Sequence, residues 1–387
     1  MLVGGADWNS GPHHRLAKAH LRLLPSAGGS KTAGAGKLMG AKHVVKFDPV
    51  GLEMEVDEDE TILDAAFRQG ISLMHGCREG QCSACKSFLI DGDVQMAKYS
   101  TFALADYESD EGYILLCKCH AYSDLTIELI NFDEEELRNA VPLQHLRTKV
   151  SSVEAVTHDI VSLKLDLVEP ATFAFKPGQY ADIQIPGDGG QHRSFSMAMT
   201  PSSSSTLEFL IKKYPGGHFS GLLDDGINVG DELELDGPYG TFTLKESSDR
   251  RIVCIGGGAG MAPILSILRH MVEDNIQRPV TFYYGARNPA DLFYLDEIAQ
   301  LGKQLTDFTF VPCLSESLPD DWADYGGSGE SGLVTTVVDR RETDLSQCEH
   351  YLCGPPPMVD AAISLLEANG VTHEHIHYDK FTTSVAE

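Results

Sequence analysis

Three cysteines lie close together in the segment CREGQCSACK, residues 77–86, with the spacing C-x4-C-x2-C. A further thiol, at Cys117 or Cys119, follows far downstream. This arrangement is typical of the ligands of a plant-type [2Fe–2S] cluster. A zinc site usually has two close pairs of ligands, whereas here the later half is distant. The spacing therefore predicts an iron–sulfur centre held by this cysteine segment and one of the two later thiols.

The loop that carries these cysteines contains small residues at Gly76, Gly80, Ser83 and Ala84. Small side chains let the backbone wrap closely around a cluster and direct N–H groups at its sulfur atoms. Such hydrogen bonds stabilise the reduced, more negative cluster. The loop is thus suited to a group that accepts electrons.

A second group of residues suited to chemistry is the glycine cluster in IVCIGGGAGMAPILSIL, residues 252–268. An apolar β-type run is followed by glycines and then by a helical pattern that Met261, Ala262 and Pro263 open. A glycine-rich turn between strand and helix lets a pyrophosphate approach the backbone and the helix N-terminus. The pattern is not a strict G-x-G-x-x-G, so by itself it does not identify a ligand.

Two shorter motifs precede that turn. In HRSFS, residues 192–196, the guanidinium of Arg193 could hold a phosphate through two parallel hydrogen bonds. In YPGGHFSGLL, Gly216, Gly217 and Ser220 are placed before a predicted short helix whose first N–H groups could bind an anion. Either motif alone has a plain structural explanation, namely a solvated arginine on a strand and a helix cap.

These motifs need three different scaffolds. Residues 39–135 alternate polar and apolar residues around one short helix, capped by Thr61 and ending at Gly70, which predicts a small β-grasp domain. Residues 143–246 contain short strands with Gly and Pro turns, typical of an antiparallel β-barrel. Residues 249–387 alternate strands and helices, which predicts a doubly wound parallel sheet. The fold class is therefore α+β and α/β, in several domains.

The first 38 residues are different in composition, being rich in Gly, Ala and Ser. We interpret residues 1–38 as a disordered extension, or as a start assigned upstream of Met39. A targeting or docking arm is the alternative.

The charge of the chain limits its partners. It has 30 basic and 57 acidic residues, a net charge of −27, which argues against binding to nucleic acid or to an anionic membrane. Nine cysteines are too few for a disulfide-built secreted protein, and no long apolar stretch or signal peptide is evident. We expect a soluble cytoplasmic protein.

The order of these motifs resembles the ferredoxin–NADP reductase superfamily, and in particular the reductase components of bacterial multicomponent oxygenases. The resemblance covers about residues 41–387 and includes the segments FKPGQY and DGPYG in the barrel. The segments CREGQCSACKSFLIDGDV and LINFDEEEL are most similar to reductases of soluble di-iron alkane and propane monooxygenases. The cofactors that the resemblance implies are a [2Fe–2S] cluster, FAD and NADH.

The resemblance also implies roles for individual residues. The fourth cluster ligand follows a Leu-Leu pair in the family, which selects Cys117 over Cys119. Ser196 would lie near flavin N5 and Cys353 near nicotinamide C4, as the two catalytic residues. Cys254, Cys313 and Cys348 are expected to be buried thiols without a role. The implied ligands of the cluster are Cys77, Cys82, Cys85 and Cys117. The implied FAD-binding residues are Arg193, Ser194, Phe195, Ser196, Gly216, Gly217, Ser220 and Phe381. The implied NADH-binding residues are Gly257, Gly258, Gly260, Arg287, Gly354 and Pro355.

By this resemblance, electrons pass from NADH to FAD, to the cluster and then to the di-iron hydroxylase component of an oxygenase. NADH is favoured over NADPH because Asp291 and Asp296 flank the adenosine-binding segment without a basic cluster. A reductase of a Rieske-type aromatic dioxygenase has the same parts and is the alternative. A non-enzymatic redox sensor is a further alternative, although no output domain is evident.

Overall fold

The computed structural model describes residues 41–132, 137, 141–188, 191–203, 205–316 and 329–381. The extension predicted at residues 1–38 and most of the linker after residue 132 lie outside these residues. The chain forms two compact units. The first comprises Met1–Ala65 and Lys86–Asn131, and the second comprises Ala66–Cys85 and Phe132–Glu387. No helix in the described ranges is long and apolar enough to cross a membrane.

The first unit contains a mixed five-stranded sheet with β-grasp topology, as predicted. The strands pair in the order β2-β1-β7-β3-β5, and only β1 and β7 run parallel. Alternate residues such as Val45, Phe47 and Ile127 are buried, which explains the alternating sequence pattern. The strands are β1 (Lys42–Asp48), β2 (Leu52–Asp57), β3 (Lys86–Asp91), β4 (Val94–Met96), β5 (Tyr113–Leu115), β6 (Cys119–Ala121) and β7 (Leu125–Leu129).

Two short helices belong to this part of the chain, α1 (Ile62–Arg68) and α2 (Asp106–Glu111). The Thr61 hydroxyl oxygen accepts the backbone N–H of Asp64 at 3.1 Å, which confirms Thr61 as the predicted cap of α1. Gly70, with φ of 71°, follows the helix end. Residues 69–75 connect α1 to the cysteine loop, which we define as residues 76–85.

The second unit begins, after the cysteine loop, with a six-stranded antiparallel sheet in the order β11-β10-β13-β8-β9-β12. An antiparallel bridge between Met197 and Phe209 joins its two edges, so the sheet is a nearly closed barrel, as predicted. Its interior is filled by apolar side chains, including Leu163, Ile183 and Phe209. The strands are β8 (Gln144–Ala155), β9 (Ile160–Glu169), β10 (Tyr180–Gln184), β11 (His192–Ser196), β12 (Thr206–Lys212) and β13 (Glu232–Tyr239). Helix α3 (His218–Asp225) follows β12.

The remainder of the second unit is a six-stranded parallel sheet in the order β17-β16-β15-β14-β18-β19. The chain moves outward from β14 on one side and returns to the other side of β14 at β18, which makes the sheet doubly wound, as predicted. Ligands in such sheets bind beyond the carboxyl ends of the strands where this reversal occurs. The strands are β14 (Arg251–Gly257), β15 (Val280–Ala286), β16 (Phe308–Leu314), β17 (Glu330–Ser331), β18 (Cys348–Gly354) and β19 (Ile376–Lys380). The helices are α4 (Met261–Glu273), α5 (Leu295–Gly302), α6 (Val334–Arg341) and α7 (Pro356–Ala368).

Candidate functional site: a dinucleotide cleft, a flavin strand and a cysteine loop

A cleft of about 360 Å³ opens at the carboxyl ends of the parallel strands. Its position at the reversal of strand order is the one expected for a dinucleotide. Five of the residues assigned to nucleotide or flavin from the sequence line it: Gly257, Gly258, Arg287, Pro355 and Phe381. The structure thus brings together residues that are far apart in the chain.

The glycines of the turn after β14 serve two purposes. Gly258 has φ of 57°, a left-handed conformation that favours glycine, and it lines the cleft. A Cβ atom on Gly260 would lie 2.1 Å from the carbonyl oxygen of Cys353, and one on Gly257 would lie 2.8 Å from the Met358 sulfur. Gly260 and Gly354 are not among the lining residues of this described cleft. Close packing between β14, α4 and β18 is therefore the evident reason for glycine at 260.

Cys353 is fully buried at the end of β18. Burial, followed by the charge of Asp379, raises the pKa of its thiol well above the ordinary value. The side chain is therefore a neutral thiol at physiological pH, suited to packing against a ring rather than to nucleophilic attack. Cys254, Cys313 and Cys348 are buried as well, as expected, but Cys313 also lines the cleft.

The adenosine-side residues have a defined arrangement. The Asp291 carboxylate accepts the backbone N–H groups of Arg287 and Asn288, both at 3.2 Å, and it lines the cleft with Arg287. Asp296 lies in the first turn of α5 and does not line the cleft. Of the two acids that favoured NADH in the sequence, Asp291 alone is placed where it could meet the nucleotide.

Two charged residues of the cleft were not predicted from the sequence. Lys212, at the end of barrel strand β12, forms an ion pair with Asp159, and both line the cleft beside Gly258. The Lys212 side chain would come within 3.8 Å of a Cβ atom on Gly258. Neither residue belongs to a local motif, since barrel and parallel sheet are separate in sequence, so only the fold reveals them.

Strand β11 (His192–Ser196), which we call the flavin strand, carries the motif that resembles a flavin site. Ser196 is buried, and Phe195 packs against Phe219 of α3 with ring centroids 4.9 Å apart. Arg193 is half-buried and donates to the carbonyl of His192 at 2.7 Å. Ser194 donates to the buried carboxylate of Asp182 at 2.6 Å.

The glycine pair near α3 forms a turn that only small residues can make. Gly216 has φ of 74° and open space around it, while a Cβ atom on Gly217 would lie 2.9 Å from the Ser220 hydroxyl. Gly217 is the N-cap of α3, so Ser220 lies inside the helix and not before it as expected. Its hydroxyl oxygen accepts the backbone N–H of Tyr214 at 2.9 Å. An open glycine turn and a helix N-terminus fit the pyrophosphate of FAD.

The cysteine loop directs backbone N–H groups at sulfur, as its small residues predicted. Glu79 and Gln81 donate to the Cys77 sulfur at 3.4 and 3.2 Å, and Cys77 donates to the Cys82 sulfur at 3.3 Å. The hydrogen bond from the Cys82 thiol lowers the pKa of Cys77 to about 6. A thiolate at Cys77 with amide donors around it fits the donor set of an iron–sulfur cluster.

The remaining cysteines are buried. Cys85 ends the loop, Cys117 lies on a short 3₁₀ turn (Leu116–Lys118), and Cys119 begins β6 with no exposure. Within the described ranges, no three His, Cys, Asp or Glu side chains are arranged to hold a metal ion. The set of four cysteine ligands therefore depends on spacing and on loop geometry, and it remains a prediction.

Within the second unit, the electrostatics of β19 involve both β18 and the cysteine loop. Asp379 on β19 is the strand partner of Cys353 on β18. Burial, followed by the charge of Cys77, raises the pKa of Asp379 to about 6. Burial is also the main cause that raises the pKa of Tyr378, and the charge of Cys82 contributes to that shift.

Comparison with known families matches three consecutive parts of the chain. A 2Fe-2S iron-sulfur cluster binding domain matches residues 45–122, an oxidoreductase FAD-binding domain matches residues 147–244, and an oxidoreductase NAD-binding domain matches residues 254–363. The order is the one expected from the motifs.

Individual relatives span nearly the same length. The propane 2-monooxygenase reductase component of Rhodococcus jostii is 63% identical over 347 residues, which are 89% of this chain and 93% of that protein. The toluate 1,2-dioxygenase electron transfer component of Pseudomonas putida is 31% identical over 87% of this chain and 97% of its own. The crystal structure of the Amycolatopsis cytochrome P450 reductase GcoB superposes with a TM-score of 0.77 at 29% identity, covering 89% of this chain and 100% of that one.

Proposed function

The chain belongs to the reductase components of multicomponent monooxygenases, and we propose that it transfers electrons from NADH through FAD and a [2Fe–2S] cluster to a di-iron hydroxylase. The domains would be 39–135 for the cluster, 143–246 for FAD and 249–387 for NADH. A cytoplasmic location fits a protein that draws on NADH.

The observation that carries this proposal is that the barrel contacts both the cysteine loop and the dinucleotide cleft within the second unit. Tyr180 and Gly240 of the barrel side hydrogen-bond to Gly76 and His75 at the start of the loop, and Lys212 at the end of β12 lines the cleft. A flavin held by the barrel would therefore lie between an electron donor in the cleft and an acceptor at the loop, as a transfer chain requires. Flavin supplies the exchange between two-electron and one-electron transfer that NADH and an iron–sulfur cluster need.

The residues of the cleft would bind and orient the dinucleotide. Gly257 and Gly258 let the pyrophosphate approach the backbone, and Arg287 with Asp291 would contact the adenosine half. Pro355 lines the cleft, and Gly354 before it would leave space for the nicotinamide. Cys353 is fully buried and does not line the described cleft, so its proposed role beside nicotinamide C4 is supported by the family resemblance.

The residues of β11 and α3 would hold FAD. Arg193 would bind the pyrophosphate from one side, and the glycine turn with Ser220 would bind it from the other. Phe195 would pack along the flavin, and Phe381 would cover the ring from the cleft. The buried Ser196 hydroxyl would donate a hydrogen bond near N5. Phe195 stands where the family pattern also allows Tyr, so a phenolic hydrogen bond is absent here.

Cys77, Cys82, Cys85 and Cys117 would ligate the cluster. Cys119 is the weaker candidate because the fourth ligand of the family follows a Leu-Leu pair, as Cys117 does here, and because Cys119 has no exposed surface.

The hydroxylase partner is proposed from sequence identity. Propane 2-monooxygenase reductases are 59–63% identical to this chain, whereas the dioxygenase component is 31% identical. We therefore favour an alkane-oxidising di-iron hydroxylase over a Rieske-type oxygenase.

The test is to mix the loaded protein anaerobically with NADH and either type of oxygenase, and to follow the oxidation state of the oxygenase. We expect rapid NADH-dependent reduction of the di-iron hydroxylase and no comparable reduction of the Rieske-type oxygenase. Faster reduction of the Rieske centre would overturn the choice of partner, and preference for NADPH would overturn the choice of nucleotide.

A further inference from the structure

A loop arginine, Arg78, connects the cysteine loop to the flavin strand. It follows Cys77 directly and has φ of 58°, a left-handed conformation that a non-glycine residue rarely adopts. This conformation directs its side chain away from the loop and onto the barrel. The guanidinium carbon lies 3.9 Å from the centre of the Tyr239 ring and 5.5 Å from that of Phe67.

The charged partner of Arg78 is Asp182, in the middle of β10. Arg78 Nη1 forms an ion pair with Asp182 Oδ2, and the two side chains are 17% and 3% exposed. A carboxylate this deeply buried needs a cation and hydrogen bonds, because an unpaired buried charge is strongly unfavourable. His192 also approaches Oδ2, at 3.4 Å, but from a more exposed position.

The same carboxylate holds the flavin strand. Asp182 pairs with Ser194 across β10 and β11, and Asp182 Oδ1 accepts the Ser194 hydroxyl at 2.6 Å. Ser194 stands between Arg193 and Phe195, the two residues that we place on FAD. One buried carboxylate is thus bonded to the residue after a cluster cysteine on one side and to the flavin motif on the other.

Two further contacts hold the loop to the same side of the barrel. The Tyr180 hydroxyl donates to the Gly76 carbonyl at 3.0 Å, and the backbone N–H of Gly240 donates to His75 Nε2 at 2.8 Å. Tyr180 and Tyr239 stack on each other with centroids 5.7 Å apart. The loop is therefore fixed at residues on both sides of Cys77.

We propose that Arg78 is a positioning residue, which acts through Asp182 and Ser194 to fix the separation of the cysteine loop from the flavin strand and so sets the rate of electron transfer between them. This inference rests on the proposed function. Its distinctive content is that the Arg78–Asp182 pair governs the flavin-to-cluster step and leaves the NADH-to-flavin step alone.

The test compares three variants of the loaded protein, Arg78→Met, Asp182→Asn and the double variant. The step from flavin to cluster is followed by rapid mixing with NADH, and the step from NADH to flavin by ferricyanide reduction. Because a misplacement of about 1 Å can cost on the order of a hundredfold where geometry controls a rate, we expect cluster reduction to slow by roughly ten- to a hundredfold in Arg78→Met. In Arg78→Met, FAD content, iron content and ferricyanide reduction should match those of the wild type.

The double variant separates positioning from stability. Removing both partners of a buried pair relieves the unpaired charge, so thermal stability should recover relative to the single variants. Electron transfer to the cluster should nevertheless stay slow, because the connection is still missing. Amide exchange at Glu79 and Gln81 should be faster than in the wild type, which reports loop freedom without any turnover.

The matched control is Arg147→Met on β8, which removes an exposed arginine whose ion pair with Glu169 lies at 3.4 Å. It should leave both steps and the loop amides unchanged. If Arg78→Met loses iron, Arg78→Lys replaces it; this variant keeps the charge without the fork and should show a smaller slowing.

Cluster reduction at the wild-type rate in Arg78→Met, or its full recovery in the double variant, would overturn the inference alone. An equal slowing in Arg147→Met would do so too. If NADH does not reduce the flavin of the wild-type protein, the proposed function is overturned, and the inference with it.

Discussion

The cysteine loop and the glycine turn at residues 256–260 both present backbone to a predicted cofactor, but they are built differently. In the loop, left-handed conformations at Arg78, Gly80 and Ser83 turn N–H groups toward sulfur. In the turn, Gly258 alone is left-handed, and the other glycines are required by neighbours that a Cβ atom would strike. The loop is shaped by what it would bind, and the turn mainly by how strand, helix and strand pack.

This difference explains why the cysteine loop is easier to predict from the sequence than the glycine turn. Ligands on side chains leave a spacing in the chain, so the cysteines are conspicuous without any structure. A backbone site depends on elements that meet only in the fold, so Gly260 looks like a phosphate contact in the sequence although it packs against Cys353.

The largest expected effect is at the loop. Replacing Cys82 with Ser should remove the cluster and abolish hydroxylase reduction, because a [2Fe–2S] cluster needs all its thiolates. FAD content and NADH-dependent ferricyanide reduction should remain, since neither involves the loop. Iron analysis and the two activities check this.

The control for that variant is Cys119→Ala, which should keep its iron if Cys117 is the fourth ligand. Loss of ferricyanide reduction in Cys82→Ser with intact FAD would contradict the separation of roles.

Strand β11 would bind its cofactor in a third way, mainly through the side chain of Arg193. Arg193→Ala should weaken FAD binding by about 1.5–3 kcal/mol, roughly ten- to a hundredfold, because it removes a charge-assisted hold on phosphate. Flavin fluorescence titration measures the dissociation constant, with Arg147→Ala as the control. An unchanged constant would remove Arg193 from the site.

Substitutions in the glycine turn should lower stability by disrupting packing before they weaken nucleotide binding. In Gly260→Ala the new Cβ would lie 2.1 Å from the Cys353 carbonyl, so we expect a loss of about 1–3 kcal/mol in the free energy of unfolding without any nucleotide.

Gly221→Ala on α3 is the matched substitution in open space, and it should stabilise the protein by up to about 1 kcal/mol. Denaturant unfolding of both variants decides the matter. A stable Gly260→Ala protein with weakened NADH binding would show that this turn is shaped by its ligand after all.

Much of the fold could be predicted from sequence. Alternation, turn residues and the Thr61 cap were sufficient for the β-grasp sheet and its helix, because those signals are local. The contribution of Lys212 and Asp159 to the cleft was not predictable, since it arises from the barrel meeting the parallel sheet. The contact of Arg78 with Asp182 was hidden for the same reason, as the two residues are more than a hundred positions apart.

The smallest expected effect is that of salt, which should change electron transfer to the hydroxylase but not the reduction of FAD by NADH. Residues 39–135 hold 7 basic and 20 acidic residues, so the cluster domain should dock on a basic patch of the hydroxylase. Raising the ionic strength through the physiological range should slow transfer to the hydroxylase by a few-fold (about one order of magnitude at most), while reduction of FAD by NADH changes little. Stopped-flow traces in which the transfer to the hydroxylase ignores salt would show that the acidic residues serve another purpose.

The order of reduction within one chain tests the proposed electron path most directly. The loaded protein is mixed anaerobically with NADH while flavin absorbance and the cluster signal are followed separately. We expect the flavin to be reduced first, at a rate that depends on the NADH concentration, and the cluster to follow at a rate that does not. A cluster reduced as fast in FAD-depleted protein as in the loaded protein would contradict this path.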